Sequence, residues 1–345
     1  MRLHPGIFFA LLAAISFGVG TPVAKLLLGY ATPWMLAGLL YLGSGVGLFL
    51  LRAFRKPAPL NLRRDDMGWL AGAIVAGGIV GPVLLMWGLA GMPASGASLL
   101  LNAEAVFSAL LAWFVFRENF DRRIAAGMAF IVAGAVVLSW PESLAMGDLL
   151  PALAVLGACL AWGIDNNLTR KVSLADATSI AMLKGLVAGA VNLALALGTG
   201  SSLPDPGVIA AACALGLISY GASLVLFVRA LRELGTARTS AYFSIAPFCG
   251  ALLALMLGEP VTLPLAAGGV LMAIGIWLHL TERHEHLHTH ERMVHQHEHA
   301  HDSHHQHEHD FAWDGREPHS HAHRHEPVSH AHPHFPDMHH RDHRH

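Results

Sequence analysis

Gly91-Met-Pro-Ala-Ser-Gly-Ala-Ser-Leu-Leu-Leu-Asn-Ala-Glu-Ala-Val-Phe-Ser-Ala-Leu-Leu-Ala-Trp-Phe-Val-Phe-Arg-Glu118 decides how the rest of the chain is read. From residue 94 to residue 116 it is small or apolar apart from three serines, Asn102 and Glu104. A bilayer core about 30 Å thick takes about 20 such residues in a helix rising about 1.5 Å per residue. The stretch is therefore a membrane span with a carboxyl near its middle and a basic residue where it ends.

Nine more stretches of the same kind surround it, at 6–28, 33–51, 68–90, 124–140, 147–168, 178–197, 207–228, 239–257 and 263–280. The first is too long for a signal sequence and has no small-residue cleavage site, so it is expected to stay as a helix. Composition agrees: of 345 residues, 54% are hydrophobic and only 13% charged, with a mean hydropathy of +0.47. A soluble domain carries about 25% charged residues. Residues 284–345 hold 23 of the 25 histidines and only one of the 35 glycines. These features exclude a cytosolic enzyme, a nucleic-acid binder and a disulfide scaffold. Cys159, Cys213 and Cys249 lie in apolar runs without a CxxC pair and read as small buried hydrophobes.

Basic residues orient the spans. Counting from Arg2, alternate connections carry Arg52, Arg55, Lys56, Arg63 and Arg64; then Arg117, Arg122 and Arg123; then Arg170 and Lys171; then Arg229, Arg232 and Arg238. The connections near 29–32, 91–93, 141–146, 198–206 and 258–262 hold no Lys or Arg. Cationic loops stay cytoplasmic, so ten helices with both termini inside, in the plasma (inner) membrane, are expected.

The chain also repeats. Leu234-Gly-Thr-Ala-Arg-Thr-Ser240 leads into an apolar run that closes at Gly258-Glu259, as Gly91–Ser98 leads into one that closes at Arg117-Glu118. Phe17-Gly18 with Lys25 is echoed by Trp162-Gly163 with Arg170. Five helices per half is an odd number, so the second half is inverted relative to the first. On these residues the chain resembles the drug/metabolite transporter superfamily, EamA type, over about residues 6–280. Segment 102–119 resembles that family's fourth helix and 244–259 its ninth. The resemblance implies an all-α membrane fold of ten helices in two inverted five-helix repeats, a central cavity and the movement of small metabolites, often outward. The division expected is 1–140 and 141–283 for the repeats and 284–345 for a disordered His-rich cytoplasmic tail.

Ionisable groups at bilayer depth cost at least about 2–3 kcal/mol each, so each needs a partner or a purpose. Glu104, beside Asn102, reads either as a substrate or proton site or as an interhelical hydrogen bond. Asp165-Asn166-Asn167 cannot all face one way on a helix; they point into the bundle or bind nearby backbone. Lys184 is deep enough to pair with Glu104 or Asp165, whereas Lys25 lies near the outer end of its span; both lysines either serve the site or snorkel to an interface. Gly77-Gly78 with Gly81-Pro82, and Gly216 with Gly221, interrupt the third and eighth spans at similar depth, which points to a binding site there. Gly43-x-x-x-Gly47 reads as close helix packing. Trp87 and Tyr220 complete the candidates, as cavity aromatics or as ordinary packing.

The tail offers His284, His286, His288, His290, His295, His297, His299, His301, His304, His305, His307, His309, His319, His321, His323 and His325 as metal ligands. So few apolar residues cannot order a backbone, and imidazole suits zinc, nickel, cobalt or copper. No cofactor is required. The first reading is a secondary transporter exporting a small metabolite or drug, its tail binding divalent metal. The second makes the metal the cargo, and the third makes the chain a metal-sensing receptor. Partners expected are the bilayer, a small-molecule substrate and divalent metal ions, with no nucleic acid; a homodimer is left open. No nucleophile–base set or phosphate loop suggests an enzyme.

Overall fold

The computed structural model describes residues 5–53, 66–116, 122–140, 149–172 and 176–280, with 285–290, 293–299, 319–325 and 328–333 in the tail. Arg55, Lys56, Arg63, Arg64, Arg117, Glu118, His284, His301, His304, His305, His307 and His309 lie outside the described residues. Met1–Thr281 forms one compact unit and Glu282–His345 another.

Every element described in the first unit is a helix. Its helices are α1 (Pro5–Gly18), α2 (Gly20–Leu27), α3 (Pro33–Ala53), α4 (Asp66–Ala73), α5 (Gly81–Gly91), α6 (Ala94–Leu100), α7 (Ala103–Phe116) and α8 (Arg122–Ser139). There follow α9 (Leu150–Lys171), α10 (Ala177–Gly198), α11 (Pro206–Gly216), α12 (Ser223–Phe243), α13 (Ala246–Met256) and α14 (Leu263–Leu280). Among the described residues, seven helices are long and apolar enough to cross a membrane, and two shorter apolar ones follow at Ala246–Met256 and Leu263–Leu278. The protein is a multi-pass membrane protein.

Several expected spans are single helices, and others are jointed. Two π-helical turns, Ile74–Val80 and Leu217–Ala222, join α4 to α5 and α11 to α12. Both fall where the sequence places paired glycines. The fourth span breaks at Leu101-Asn102, just before Glu104. Pro247 sits in the first turn of α13; lacking an N–H and clashing with the preceding turn, it sets the break after Phe243. One connection differs from expectation: α12 carries helical backbone through 229–238, where a loop is expected. The Phe227 and Phe243 rings nevertheless meet at 4.9 Å, whereas sixteen residues of straight helix would span about 24 Å. The chain doubles back within α12.

Packing follows a pseudo-twofold plan. The first span lies on the eighth as the sixth lies on the third, through α1 on α12 and α9 on α5. The second meets the seventh (α3 on α10), the fourth the ninth (α6 on α13) and the fifth the tenth (α8 on α14). Small residues bring these helices close. A Cβ on Gly185 would stand 2.7 Å from the Gly45 backbone, so α3 and α10 touch main chain to main chain. Gly43 and Gly47 face Cys213 and Leu217 of the eighth span, which is the close packing expected of that pair.

At the end of α10 where its chain begins, Asp176 caps the helix by accepting from Ser179 N–H at 3.0 Å and from its hydroxyl. Arg52, at the end of α3, donates to Asp176 Oδ2 at 2.9 Å and to Ser179 Oγ. Burial alone would raise the Asp176 carboxyl, but the Ser179 and Arg52 hydrogen bonds outweigh it and hold it below the ordinary aspartate value. A carboxyl lowered on folding stabilises the fold above its unfolded pKa of about 3.9 and loses that effect as pH falls through the folded value. Asp176→Ala is therefore expected to cost about 1–2 kcal/mol at pH 7. The gap from wild type should begin to narrow as pH falls below about 4 and shrink further through the folded value. Thermal unfolding in detergent across pH checks this; a gap that does not narrow toward acid pH contradicts it.

The described residues of the tail are four short extended segments. Strands β1 (Glu285–His290), β2 (Met293–His299), β3 (His319–His325) and β4 (Val328–Pro333) form two antiparallel pairs, β1 with β4 and β2 with β3. Pairing satisfies backbone groups that so polar a segment cannot bury. The register sets His286 opposite His332, His288 opposite His330, His295 opposite His323, His297 opposite His321 and His299 opposite His319.

Candidate functional site

A π turn leaves carbonyls off the regular helical ladder, and other groups must satisfy them. At Ile74–Val80 three helices do so. Tyr41 Oη of α3 donates to Gly77 O at 2.8 Å, and Trp162 Nε1 of α9 donates to the same oxygen at 2.9 Å. Asn192 Nδ2 of α10 donates to Gly78 O at 3.0 Å. The third span is thus tied to helices of both halves.

Beside this turn lies an intramembrane ion pair. Lys184 Nζ stands 2.6 and 2.5 Å from the two Asp165 oxygens, and Thr169 Oγ1 donates to Asp165 Oδ1 at 2.8 Å. Of the two partners the sequence left open for Lys184, the structure takes Asp165. Gly77 makes room for the carboxylate: any Cβ there would run into Asp165 Oδ2. A charge pair this enclosed persists only with close geometry and extra hydrogen bonds, and both are present.

At the next residue of the chain, Asn166 Nδ2 donates to Glu104 Oε1 at 2.8 Å and to Ser108 Oγ at 3.3 Å. This links the fourth span of the first half to the sixth of the second. Glu104 lies within electrostatic reach of Asp165 and Lys184. A cavity of about 310 Å³ is lined by Tyr41, Ser44, Asn166, Thr169, Ile180, Ala181, Lys184, Gly185, Tyr220 and Leu224. Tyr220 comes from the second π turn, and its ring lies 5.4 Å from that of Tyr41. The eighth span thus lines the cavity directly, and the third stands behind it, its Gly77 O held by Tyr41.

The other candidates stand elsewhere. Asn102 is buried and donates to Leu99 O at 2.9 Å and Met272 Sδ at 3.7 Å, facing α14 rather than the cavity. Asn167 donates to Gly163 O at 2.8 Å and Ser108 O at 3.2 Å, bracing the fourth span against the sixth. Trp87 is 48% exposed and does not line this cavity. Lys25 Nζ caps the end of α5 by donating to Leu89 O at 2.6 Å and Ala90 O at 3.1 Å. The nearby Glu259 accepts at the start of α6 from Ala94 N–H at 2.7 Å and Ser95 N–H at 2.9 Å, where a carboxylate suits the helix N-terminus. Thr32 and Ser201 share a hydrogen bond of 2.9 Å at this same end. The Glu259 and Thr32–Ser201 contacts tie the two halves together on the side of the connections without Lys or Arg.

Tyr41, Ser44, Trp162, Thr169 and Asn192 are site residues that the sequence did not single out. Asn192, fully buried at the midst of an apolar run, carried the one usable signal: a polar amide in hydrocarbon. Among the described residues no group of three or more His, Cys, Asp or Glu gathers to hold a metal.

Comparison with known proteins agrees with this architecture. The profile of the EamA-like transporter family matches residues 4–140 and again 149–281. An uncharacterized transporter of Methanothermobacter thermautotrophicus is 28% identical over 303 residues, covering 81% of this chain and 87% of that protein. A probable amino-acid metabolite efflux pump of Salmonella typhimurium is 27% identical over 294 residues, covering 79% of this chain and 94% of the pump. One crystal structure superposes with a TM-score of 0.61 at 18% identity, over 79% of this chain and 95% of its own, a likeness of fold. Two matched repeats, in a chain built as two interlocked helical halves around a largely apolar cavity with a few polar groups, make this a transporter and not an enzyme: it belongs to the EamA-like transporter family.

Proposed function

We propose that this protein exports a small metabolite of the amino-acid class by alternating access, its two halves inverted in the membrane and both termini cytoplasmic. The observation that carries the reading is the cavity between the halves, where Lys184, Asn166 and two tyrosines meet at bilayer depth. Small-molecule sites are mostly apolar clefts with a few placed polar groups, and repeat interfaces house them in transporters. Similarity to an amino-acid metabolite efflux pump supports both the class and the direction. Thr169, Ile180 and Lys184 lie within a few turns of the cationic connection at 170–171, so the cavity belongs to the cytoplasmic half. Lys25, Glu259, Thr32 and Ser201 tie the opposite end. This is the arrangement of a carrier ready to load from inside.

The tail is an accessory in this reading. Histidine at alternate positions, with His facing His across both strand pairs in the register, suits capture of a divalent ion by neutral imidazoles. Metabolite profiles of medium from cells with and without the protein test the proposal, repeated with zinc or nickel and with residues 284–345 removed. Amino acids or their derivatives should accumulate outside only when the protein is present, and only the full chain should respond to metal. Indistinguishable profiles would overturn export.

A further inference from the structure

The cavity presents a cation whose counter-ion stands behind it. Lys184 lines the cavity, and its side chain is 17% exposed against 8% for Asp165. Asp165 is held from three sides: by Thr169, by Lys184 and by the Gly77 backbone, which leaves no room for a Cβ. The aspartate is fixed, whereas the lysine ammonium sits on a flexible four-carbon stem with three donors. Nearby, Asn166 spends its amide donors on Glu104 and Ser108, which places a carboxyl just behind the cavity wall.

From this geometry we propose that Lys184 receives the carboxylate of the substrate, which competes with Asp165 for the ammonium, while the Glu104–Asn166 pair receives its amino group. The ligand is then a zwitterionic amino acid with an apolar side chain seated against Tyr41 and Tyr220. Charge balance favours this class. A zwitterion adds no net charge to a low-dielectric site, whereas a bare carboxylate or a bare amine adds one. Asp165 serves as a built-in stand-in for the substrate carboxylate: it neutralises Lys184 in the empty carrier and reclaims it on release. The inference rests on the amino-acid exporter reading and adds the seating of each charged group.

The full chain in proteoliposomes tests it by counterflow, with L-phenylalanine, phenethylamine and 3-phenylpropionate as probes and the twenty amino acids as a wider panel. Wild type is expected to favour L-phenylalanine over phenethylamine at least tenfold. Lys184→Gln should remove that preference, and Lys184→Arg should restore part of it. Asp165→Asn should lower KM for L-phenylalanine while also lowering the maximal rate, because release has lost its competitor. The paired variant Asp165→Asn/Lys184→Gln is neutral within the bundle and controls for folding. A preference that survives in Lys184→Gln, or an Asp165→Asn protein whose KM rises, would overturn the proposal and leave the exporter reading standing. Counterflow of none of the twenty amino acids by wild type would overturn both.

Discussion

Glu104→Gln is expected to reduce transport more than tenfold while leaving the protein in the membrane at normal yield. Glutamine keeps the size of the side chain and can still accept the Asn166 hydrogen bond, so the change removes charge and proton exchange and little else. The carboxyl sits in the first turn of α7, directly after the break at Leu101-Asn102, where the fourth span of one half meets the sixth of the other. It is within electrostatic reach of the Asp165–Lys184 pair. A group that costs about 2–3 kcal/mol at bilayer depth is retained for a purpose. Transport by vesicles carrying the two forms, compared at several pH values, is the check. Equal rates throughout would assign Glu104 to helix packing alone.

The sequence was most legible where physics acts through length. Each span needs about 20 apolar residues whatever its partners, and paired glycines at 77–78 and at 216 and 221 marked the turns that become π-helical. Facing was the harder problem, because helices apolar on every side carry no stripe that says which way they point. Hence Trp87 could not be told from Trp162, although one is half exposed and the other is buried and binds Gly77 O. For the same reason Asn102 turns to Met272, away from the cavity that Asn166 reaches. Lys184 could be narrowed to two carboxyls by depth; choosing Asp165 required knowing that α9 and α10 both pack against the π turn at Ile74–Val80. Tyr41 gave no signal at all, since its partner is a backbone carbonyl released by a turn in another helix. In the tail, histidine alternates with the period of a strand, the period its described segments share.

Everything above about loading and release depends on the halves being inverted in one membrane. Single cysteines at 31, 143 and 202, labelled with an impermeant thiol reagent on intact cells, test that most directly. The native cysteines Cys159, Cys213 and Cys249 lie within the helices of the first unit and can be replaced by alanine as background. The account predicts full labelling at those three positions, and labelling at 57 and 121 only after the cells are opened. External labelling at 57 or 121 in intact cells would contradict the inverted arrangement, and with it a cavity that loads from the cytoplasm.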